Sequence, residues 1–118
     1  MGDERIVSVS GIKLQSGIGE RTTPPPDRKL LAVANLFKVL GDATRIDIMY
    51  SLMENTELCV QELAESTQMN ASAVSHHLRI LRQEKIVRQR RNGKQIFYSM
   101  SDSHVLQILQ KAIILKIK

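Results

Sequence analysis

Apolar residues recur at intervals of three and four positions in five segments of the chain. This spacing puts them on one face of an α-helix, so the pattern predicts five helices. Their expected bounds are Arg28 to Leu40, about Ala43 to Met53, Gln61 to Thr67, Ala71 to Arg82, and His104 to Lys118. Between positions 86 and 100 apolar and polar residues alternate instead, which is typical of strands.

Polar residues that can cap a helix precede three of the predicted helices. Asp42 and Asn70 precede the second and fourth, and Ser101 or Asp102 precedes the fifth. A side-chain oxygen at that position accepts one of the backbone N–H groups left free at a helix N-terminus. Gly41 predicts the end of the first helix.

Only Gln68-Met69-Asn70 separates the third predicted helix from the fourth. Two short helices joined by a tight turn form the helix-turn-helix arrangement, whose second helix enters the DNA major groove. Such turns usually contain glycine, and this one has none. Its geometry is therefore inferred from the flanking helices.

The fourth helix is expected to have two different faces. Val74, Leu78 and Leu81 form an apolar stripe that is expected to be buried. Another face carries short hydroxyls, an imidazole and a guanidinium, contributed by Ser72, Ser75, His76 and Arg79. These groups can hydrogen-bond base edges in a major groove, and the alternative interpretation is an ordinary solvated helix face.

A hairpin is predicted directly after this helix. Ile86 to Arg91 and Lys94 to Met100 flank Asn92-Gly93, the pair that best accepts the positive φ angles of a type I′ turn. Leu58-Cys59-Val60 is expected to be a short extended segment. The predicted fold is mainly α with a small β-hairpin. It is a winged helix-turn-helix in the order helix, helix, helix, helix, strand, strand, helix.

The chain of 118 residues is basic, with a formal net charge of +5 at pH 7 and a pI of about 9.7. Between positions 79 and 94 the chain has one acidic residue, Glu84, and seven basic ones. The basic residues are Arg79, Arg82, Lys85, Arg88, Arg90, Arg91 and Lys94. We predict that Arg88, Arg90, Arg91 and Lys94 bind phosphates of double-stranded DNA beside the fourth helix, which would be the recognition helix in the major groove. The few aromatic residues argue against a stacking platform for single strands.

The first and last predicted helices are apolar around most of their circumference. So much apolar surface predicts a homodimer formed through these two helices, which removes the surface from water. A dimer would also place two recognition helices about 34 Å apart, one turn of DNA. The alternative is that both helices pack within one chain.

Residues 1–27 are polar, hold four of the six glycines and end in Pro24-Pro25-Pro26. We interpret them as a flexible arm that precedes a DNA-binding and dimerisation domain of residues 28–118. Ile6-Val7-Ser8-Val9 fits a short strand, but no nearby segment is expected to pair with it.

Other features narrow the class of protein. The single cysteine, Cys59, excludes an internal disulfide and favours a reducing cytoplasm. No apolar run approaches the roughly 20 residues of a membrane span, so no membrane partner is expected. An enzyme is not expected, because no nucleophile with its base, no phosphate-binding glycine loop and no complete metal cluster is present.

Three motifs occur in order: LFKVLGDATR from Leu36, ELCVQELA from Glu57 and SAVSHHL from Ser72. Together they resemble the ArsR/SmtB family of bacterial winged-helix repressors, and the resemblance spans residues 28–118. It implies a homodimeric repressor that blocks a promoter until an inducer, commonly a metal ion, releases it.

The resemblance also implies two possible metal sites. One pairs an Asp and a His at the start of the last helix with two ligands near the end of the partner's helix. Asp102 and His104 match the first pair, but the second pair falls at Leu115 and Lys118, which do not bind zinc in practice. The other site needs Cys-Val-Cys, where this chain has Cys59-Val60-Gln61.

Both ligand sets are incomplete, and each candidate ligand has a simpler role. Asp102 is favourable as an anion at a helix N-terminus, His104 as a partly exposed polar residue, and Cys59 as a small buried residue. A divalent metal such as zinc is thus a candidate inducer, and a metal-independent member of the family is the alternative. A winged-helix module that binds an acidic protein partner is a further alternative.

Overall fold

The computed structural model describes residues 6–9, 12–15, 27–101 and 103–117. The helices are α1 (Arg28–Leu40), α2 (Ala43–Glu54), α3 (Val60–Thr67), α4 (Ala71–Gln83) and α5 (Ser103–Ile117). The strands are β1 (Ile6–Val9), β2 (Ile12–Gln15), β3 (Leu58–Cys59), β4 (Val87–Asn92) and β5 (Gln95–Met100). The chain divides into two compact units, Met1–Leu31 and Ala32–Lys118. All five predicted helices are confirmed, with ends within one residue of the expected positions.

The first unit contains an antiparallel strand pair, which corrects the expectation that Ile6–Val9 has no partner nearby. β1 pairs with β2, with Val7 opposite Leu14. The reason lies in the sequence: residues 12–15 alternate apolar and polar positions, and the serine–glycine pair before them is typical of turns. The flexibility of residues 1–27 stays a prediction.

The second unit is built around a core to which α4 contributes the predicted stripe. Val74, Leu78 and Leu81 are at most 1% exposed. The core also takes residues from α2, α3, β4, α5 and the segment before β4, namely Ile48, Met49, Leu52, Leu63, Ile86, Val87, Val105 and Leu109. Because this stripe fixes which side of α4 faces inward, it also fixes which side faces solvent.

Two predicted N-caps are confirmed. An Asp42 carboxylate oxygen accepts hydrogen bonds from the backbone N–H groups of Thr44 and Arg45, at 2.9 and 3.1 Å. Asn70 accepts one from the N–H of Ala73 at 2.8 Å. These bonds satisfy donors that the first turn of a helix otherwise leaves unpaired. Asp102, one of the two caps considered for the last helix, lies outside the described residues.

Removing the Asp42 cap gives a first testable prediction. Asp42→Ala should lower the free energy of unfolding by about 1 kcal/mol, because two backbone donors of α2 lose their acceptor. Asp42→Asn is the matched control, since asparagine caps almost as well as aspartate. Urea unfolding at pH 7 and fixed protein concentration measures both, and equal losses in the two variants would contradict a capping role.

The same residue adds a pH dependence. The hydrogen bond from the Arg45 backbone lowers the pKa of Asp42, and the Arg45 and His77 side chains lower it further. Its carboxylate therefore stabilises the fold above the ordinary carboxyl pKa, and this contribution is lost as the pH falls through the lowered value. The difference between the wild type and Asp42→Asn should shrink on acidification.

The hairpin formed by β4 and β5 is called the wing. It is part of a three-stranded antiparallel sheet in the order β3–β5–β4. Asn92 pairs with Gln95, so the two loop residues are Gly93 and Lys94. The predicted type I′ turn centred on Asn92-Gly93 is therefore wrong by one residue. Gly93 alone of these two loop residues has a positive φ, 67°, as in a type II′ turn with glycine at the first central position.

Cross-strand charges explain the shift of the turn. The predicted turn would place Arg91 directly opposite Lys94, and like charges in that position are destabilising. In the observed register Arg91 lies opposite Ile96. Both placements keep Val87 and Tyr98 on the same face, so the apolar alternation does not distinguish them.

α4 ends in a Schellman motif in which Lys85 takes the position usually held by glycine. The Lys85 N–H donates to the Arg82 carbonyl and the Ile86 N–H to the Leu81 carbonyl, both at 2.9 Å. Lys85 has a φ of 62°, in the left-handed region that glycine adopts without steric cost.

Lys85→Gly should therefore raise the free energy of unfolding, by about 1 kcal/mol, because it removes the Cβ that opposes the left-handed conformation. Lys85→Ala loses the same charge and keeps the Cβ, so we expect no such gain. Urea unfolding of the three proteins at one concentration measures the difference. A gain in the alanine variant equal to that in the glycine variant would attribute the effect to charge.

The helix-turn-helix turn uses the same conformation. Gln68, the C-cap of α3, has φ 59° and ψ 38°, and the Met69 N–H donates to the Ala64 carbonyl at 3.1 Å. Gln68 therefore adopts the left-handed backbone conformation that glycine usually provides in such a turn.

α1 and α5 expose much of their apolar surface in the single chain. Val33 and Phe37 of α1 are 48% and 56% exposed, and Ile114, Leu115 and Ile117 of α5 are 63%, 73% and 72% exposed. The alternative that both helices pack fully within one chain does not fit these exposures. None of the helices in the described part of the chain is long and apolar enough to cross a membrane.

Candidate nucleic-acid interface

The four predicted groove residues of α4 all lie on its exposed side. Ser72, Ser75, His76 and Arg79 are exposed, whereas the stripe formed by Val74, Leu78 and Leu81 is buried. The Asn70 side chain caps the N-terminus of this helix by accepting a hydrogen bond from the Ala73 N–H. α4 therefore presents hydroxyl, imidazole and guanidinium groups together on its exposed side.

Hydrogen bonds tie α4 to the helices before it. Arg45 Nε donates to His77 Nδ1 at 3.3 Å, and Arg45 Nη1 donates to the Val39 carbonyl at 3.2 Å. Arg45 thus links the end of α1, the first turn of α2 and the middle of α4. At the other end of α4, Asn35 Nδ2 donates to Glu84 Oε1 at 3.2 Å. These bonds connect the C-terminal end of α4 to α1 and its middle to α2.

The predicted phosphate-binding residues all lie on the exposed wing, but they do not have equivalent surroundings. Arg91 and Lys94 lie near the hairpin tip, and Lys94 is the second residue of the turn. Arg88 Nε donates to Ser99 Oγ at 3.4 Å, a long hydrogen bond to the neighbouring strand. Arg90 is held much more closely.

Arg90 forms a bidentate ion pair with Glu57. Its Nη2 donates to Glu57 Oε1 at 2.7 Å and its Nε to Oε2 at 2.9 Å. The guanidinium carbon also lies 5.3 Å from the centroid of the Phe97 ring, within the range of a cation–π contact. The hydrogen bonds from Arg90 lower the pKa of Glu57, so the pair is intact at neutral pH and weakens as acid protonates the carboxylate.

Sequence reasoning missed the two contacts that position these elements. Glu57 and Arg90 are 33 residues apart, and Arg45 and His77 are 32 apart. The signal that places Glu57 near the wing is the pairing of β3 with β5, in which Leu58 lies opposite Tyr98. A two-residue strand gives too little alternation to predict that pairing.

The candidate metal ligands do not come together in the described structure. Cys59 is buried in β3, and its N–H donates to Glu62 Oε1 at 2.9 Å. His104 is exposed in the first turn of α5, whereas Asp102 and Lys118 lie outside the described residues. No group of three His, Cys, Asp or Glu side chains able to hold a metal occurs within residues 6–9, 12–15, 27–101 and 103–117. These residues alone do not fit a four-ligand zinc site.

Comparison with known proteins decides the family. A sequence profile described as "Bacterial regulatory protein, arsR family" matches residues 42–89, from the cap of α2 into β4. The cadmium resistance transcriptional regulatory protein CadC homolog of Staphylococcus aureus is 42% identical over 82 residues, which are 70% of this chain and 68% of that protein. The chain belongs to the ArsR family.

Solved structures agree with this assignment. The transcriptional repressor BigR from Xylella fastidiosa has a TM-score of 0.70 and 31% identity, covering 77% of this chain and 92% of BigR. A homodimeric winged helix-turn-helix DNA-binding domain from Mycobacterium bovis, a possible ArsR-family regulator, has a TM-score of 0.69 and 25% identity, covering 82% and 94%. This ArsR-family chain is a DNA-binding transcriptional regulator with a winged helix-turn-helix fold, and its relatives are regulators rather than enzymes.

Proposed function

We propose that this ArsR-family protein is a homodimeric repressor that recognises an operator sequence in double-stranded DNA. Ser72, Ser75, His76 and Arg79 contact base edges in the major groove. Arg88, Arg91 and Lys94 contact phosphates beside that groove. The observation that carries the proposal is the division of α4 into a buried apolar stripe and an exposed polar face.

The exposed apolar surface of α1 and α5 supports the dimer. Leaving it in water is costly, at about 25 cal/mol for each Å² of apolar area, and a two-fold axis allows each copy to cover the other. The homodimeric state of the domain from Mycobacterium bovis supports the same arrangement. We further propose that residues 1–27 act as an arm of the domain formed by residues 28–118, and that the protein acts in the cytoplasm.

Repression is proposed to end when an inducer binds. The relation to a cadmium resistance regulator supports a divalent metal, such as zinc, as that inducer. The lack of a three-ligand cluster in the described part of the chain favours the alternative, a metal-independent member. Calorimetric titration of the dimer with zinc, cadmium and nickel separates the two: stoichiometric binding supports the metal inducer, and no binding supports the alternative.

In vitro selection from a random 30-base-pair duplex pool tests the DNA-binding proposal. We expect the wild-type protein to enrich a two-fold symmetric sequence and to bind it at least about 10³-fold more tightly than a random duplex. Enrichment of no sequence would contradict operator recognition and favour the winged-helix module that binds an acidic protein.

A further inference from the structure

One side chain of the wing, that of Arg90, connects two strands of its sheet to the residue just before the third. Arg90 belongs to β4 and lies opposite Phe97 of β5, over whose ring its guanidinium rests. From there it reaches Glu57, the residue immediately before β3, with two hydrogen bonds of 2.7 and 2.9 Å. Arg90 therefore extends across β5 from one outer strand to the residue that precedes the other.

We propose that Arg90 is a positioning residue, which holds the wing in place for DNA binding through Glu57 and does not itself contact a phosphate. The proposal rests on the operator-binding function argued above. It revises the prediction, made from charge alone, that Arg90 binds DNA in the same way as Arg88, Arg91 and Lys94.

The first reason is geometry. The bidentate pair with Glu57 occupies the Nε–Nη2 edge of the guanidinium, so that edge is not available to a phosphate. The neighbouring carboxylate also repels an anion that approaches the three N–H groups that remain. Within the described part of the chain, Arg91 and Lys94 have no acidic partner at hydrogen-bonding distance, so their charges stay available to an anion. Arg90 and Glu57 are together neutral, and a neutral pair releases few counterions from DNA.

The second reason is the way the wing is attached. β3 has two residues, and it pairs with β5 at only two positions, Leu58 with Tyr98 and Cys59 with Phe97. β4 is the far strand of the sheet and does not pair with β3. The Arg90–Glu57 bridge directly joins β4 to the chain on the opposite side of β5, and it therefore limits how the hairpin can twist.

The test compares Arg90→Gln, Glu57→Gln and the double variant with Lys94→Gln, a change of the same charge at the hairpin tip. Affinity for the in vitro selected duplex is measured between 50 and 200 mM salt. We expect each single variant at position 57 or 90 to bind about tenfold more weakly, with the double variant no weaker than either, because both changes break one interaction. The salt slope of the double variant should match that of the wild type, because two neutral amides replace a neutral ion pair.

Lys94→Gln should behave differently, because losing a phosphate contact lowers the salt slope by about 0.9 for each protomer bound. The double variant would overturn the proposal if it lowered the slope in the same way. Unchanged or tighter binding by Glu57→Gln would overturn it as well. That outcome is expected when Glu57 only competes with DNA for Arg90.

Exchanging the two charges provides a second measurement. Arg90→Glu alone should bind poorly, and Arg90→Glu combined with Glu57→Arg should recover most of the lost affinity, because the bridge is rebuilt in reverse. No recovery in a variant with wild-type circular dichroism would contradict the proposal. If the wild type selects no sequence, operator recognition fails, and the same salt slopes measured on a random duplex still decide the role of Arg90.

Discussion

Replacing Leu115 with glutamate is expected to convert the dimer into a folded monomer that no longer selects a DNA sequence. Leu115 is 73% exposed in the single chain and lies in the last turn of α5, far from the buried contacts of Val105 and Leu109. A two-fold interface through α5 would bury it twice, once in each copy. Two unpaired carboxylates in such an interface cost about 3 kcal/mol or more, which is over 100-fold in the dimer Kd.

Sedimentation equilibrium measures the change, and circular dichroism shows whether the monomer stays folded. Leu115→Met is the matched control, because it changes the same position and keeps its apolar surface. We expect the control to stay dimeric. A dimeric Leu115→Glu protein with unchanged affinity for the selected duplex would show that α5 is not the interface near this residue.

The effect on DNA follows from mass action and geometry. A monomer offers one recognition helix, so it reads one half-site and loses the second set of contacts. Binding to a random duplex should fall much less, because the wing charges of each monomer are unchanged. A selective loss of sequence preference, rather than of all DNA binding, is therefore the expected signature.

The main elements of this fold were predictable because their signals are local. The Val74, Leu78 and Leu81 stripe and the Asp42 and Asn70 caps depend on residues within one or two turns of each other, and the structure confirms all of them. The wing was predicted from its alternation and its glycine. The turn was placed one residue early because glycine accepts positive φ at either central position, and only the cross-strand charges separate the two registers.

The contacts that position the site were not predictable in the same way. Arg90 is one of seven bases in a short basic stretch, and nothing in that stretch shows which base is paired. Its partner Glu57 comes close only because β3 joins the sheet beside β5. The Arg45–His77 hydrogen bond likewise needs the packing of α2 against α4. Charge composition therefore predicted an exposed basic surface, but not which of its residues is paired with an acid.

Replacing Arg79 with alanine should affect sequence recognition most strongly. Arg79 is exposed on the polar face of α4, one turn after Ser75 and one residue after the buried Leu78. Loss of an arginine contact to a guanine edge weakens binding by about 1–3 kcal/mol at each half-site, roughly 5- to 150-fold. Affinity for a random duplex should change little, since base contacts contribute little there.

Lys94→Ala is the matched control for Arg79→Ala, because both changes remove one positive charge. Lys94 lies in the wing turn, where we expect its side chain to contact phosphates and no bases. Its loss should lower affinity for selected and random duplexes by the same factor and reduce the salt slope, whereas Arg79→Ala should lower the ratio of the two affinities. Fluorescence anisotropy with both duplexes measures that ratio. If the ratio falls equally in both variants, α4 and the wing do not divide recognition and attachment between them, and the exposed face of α4 is only a solvated surface.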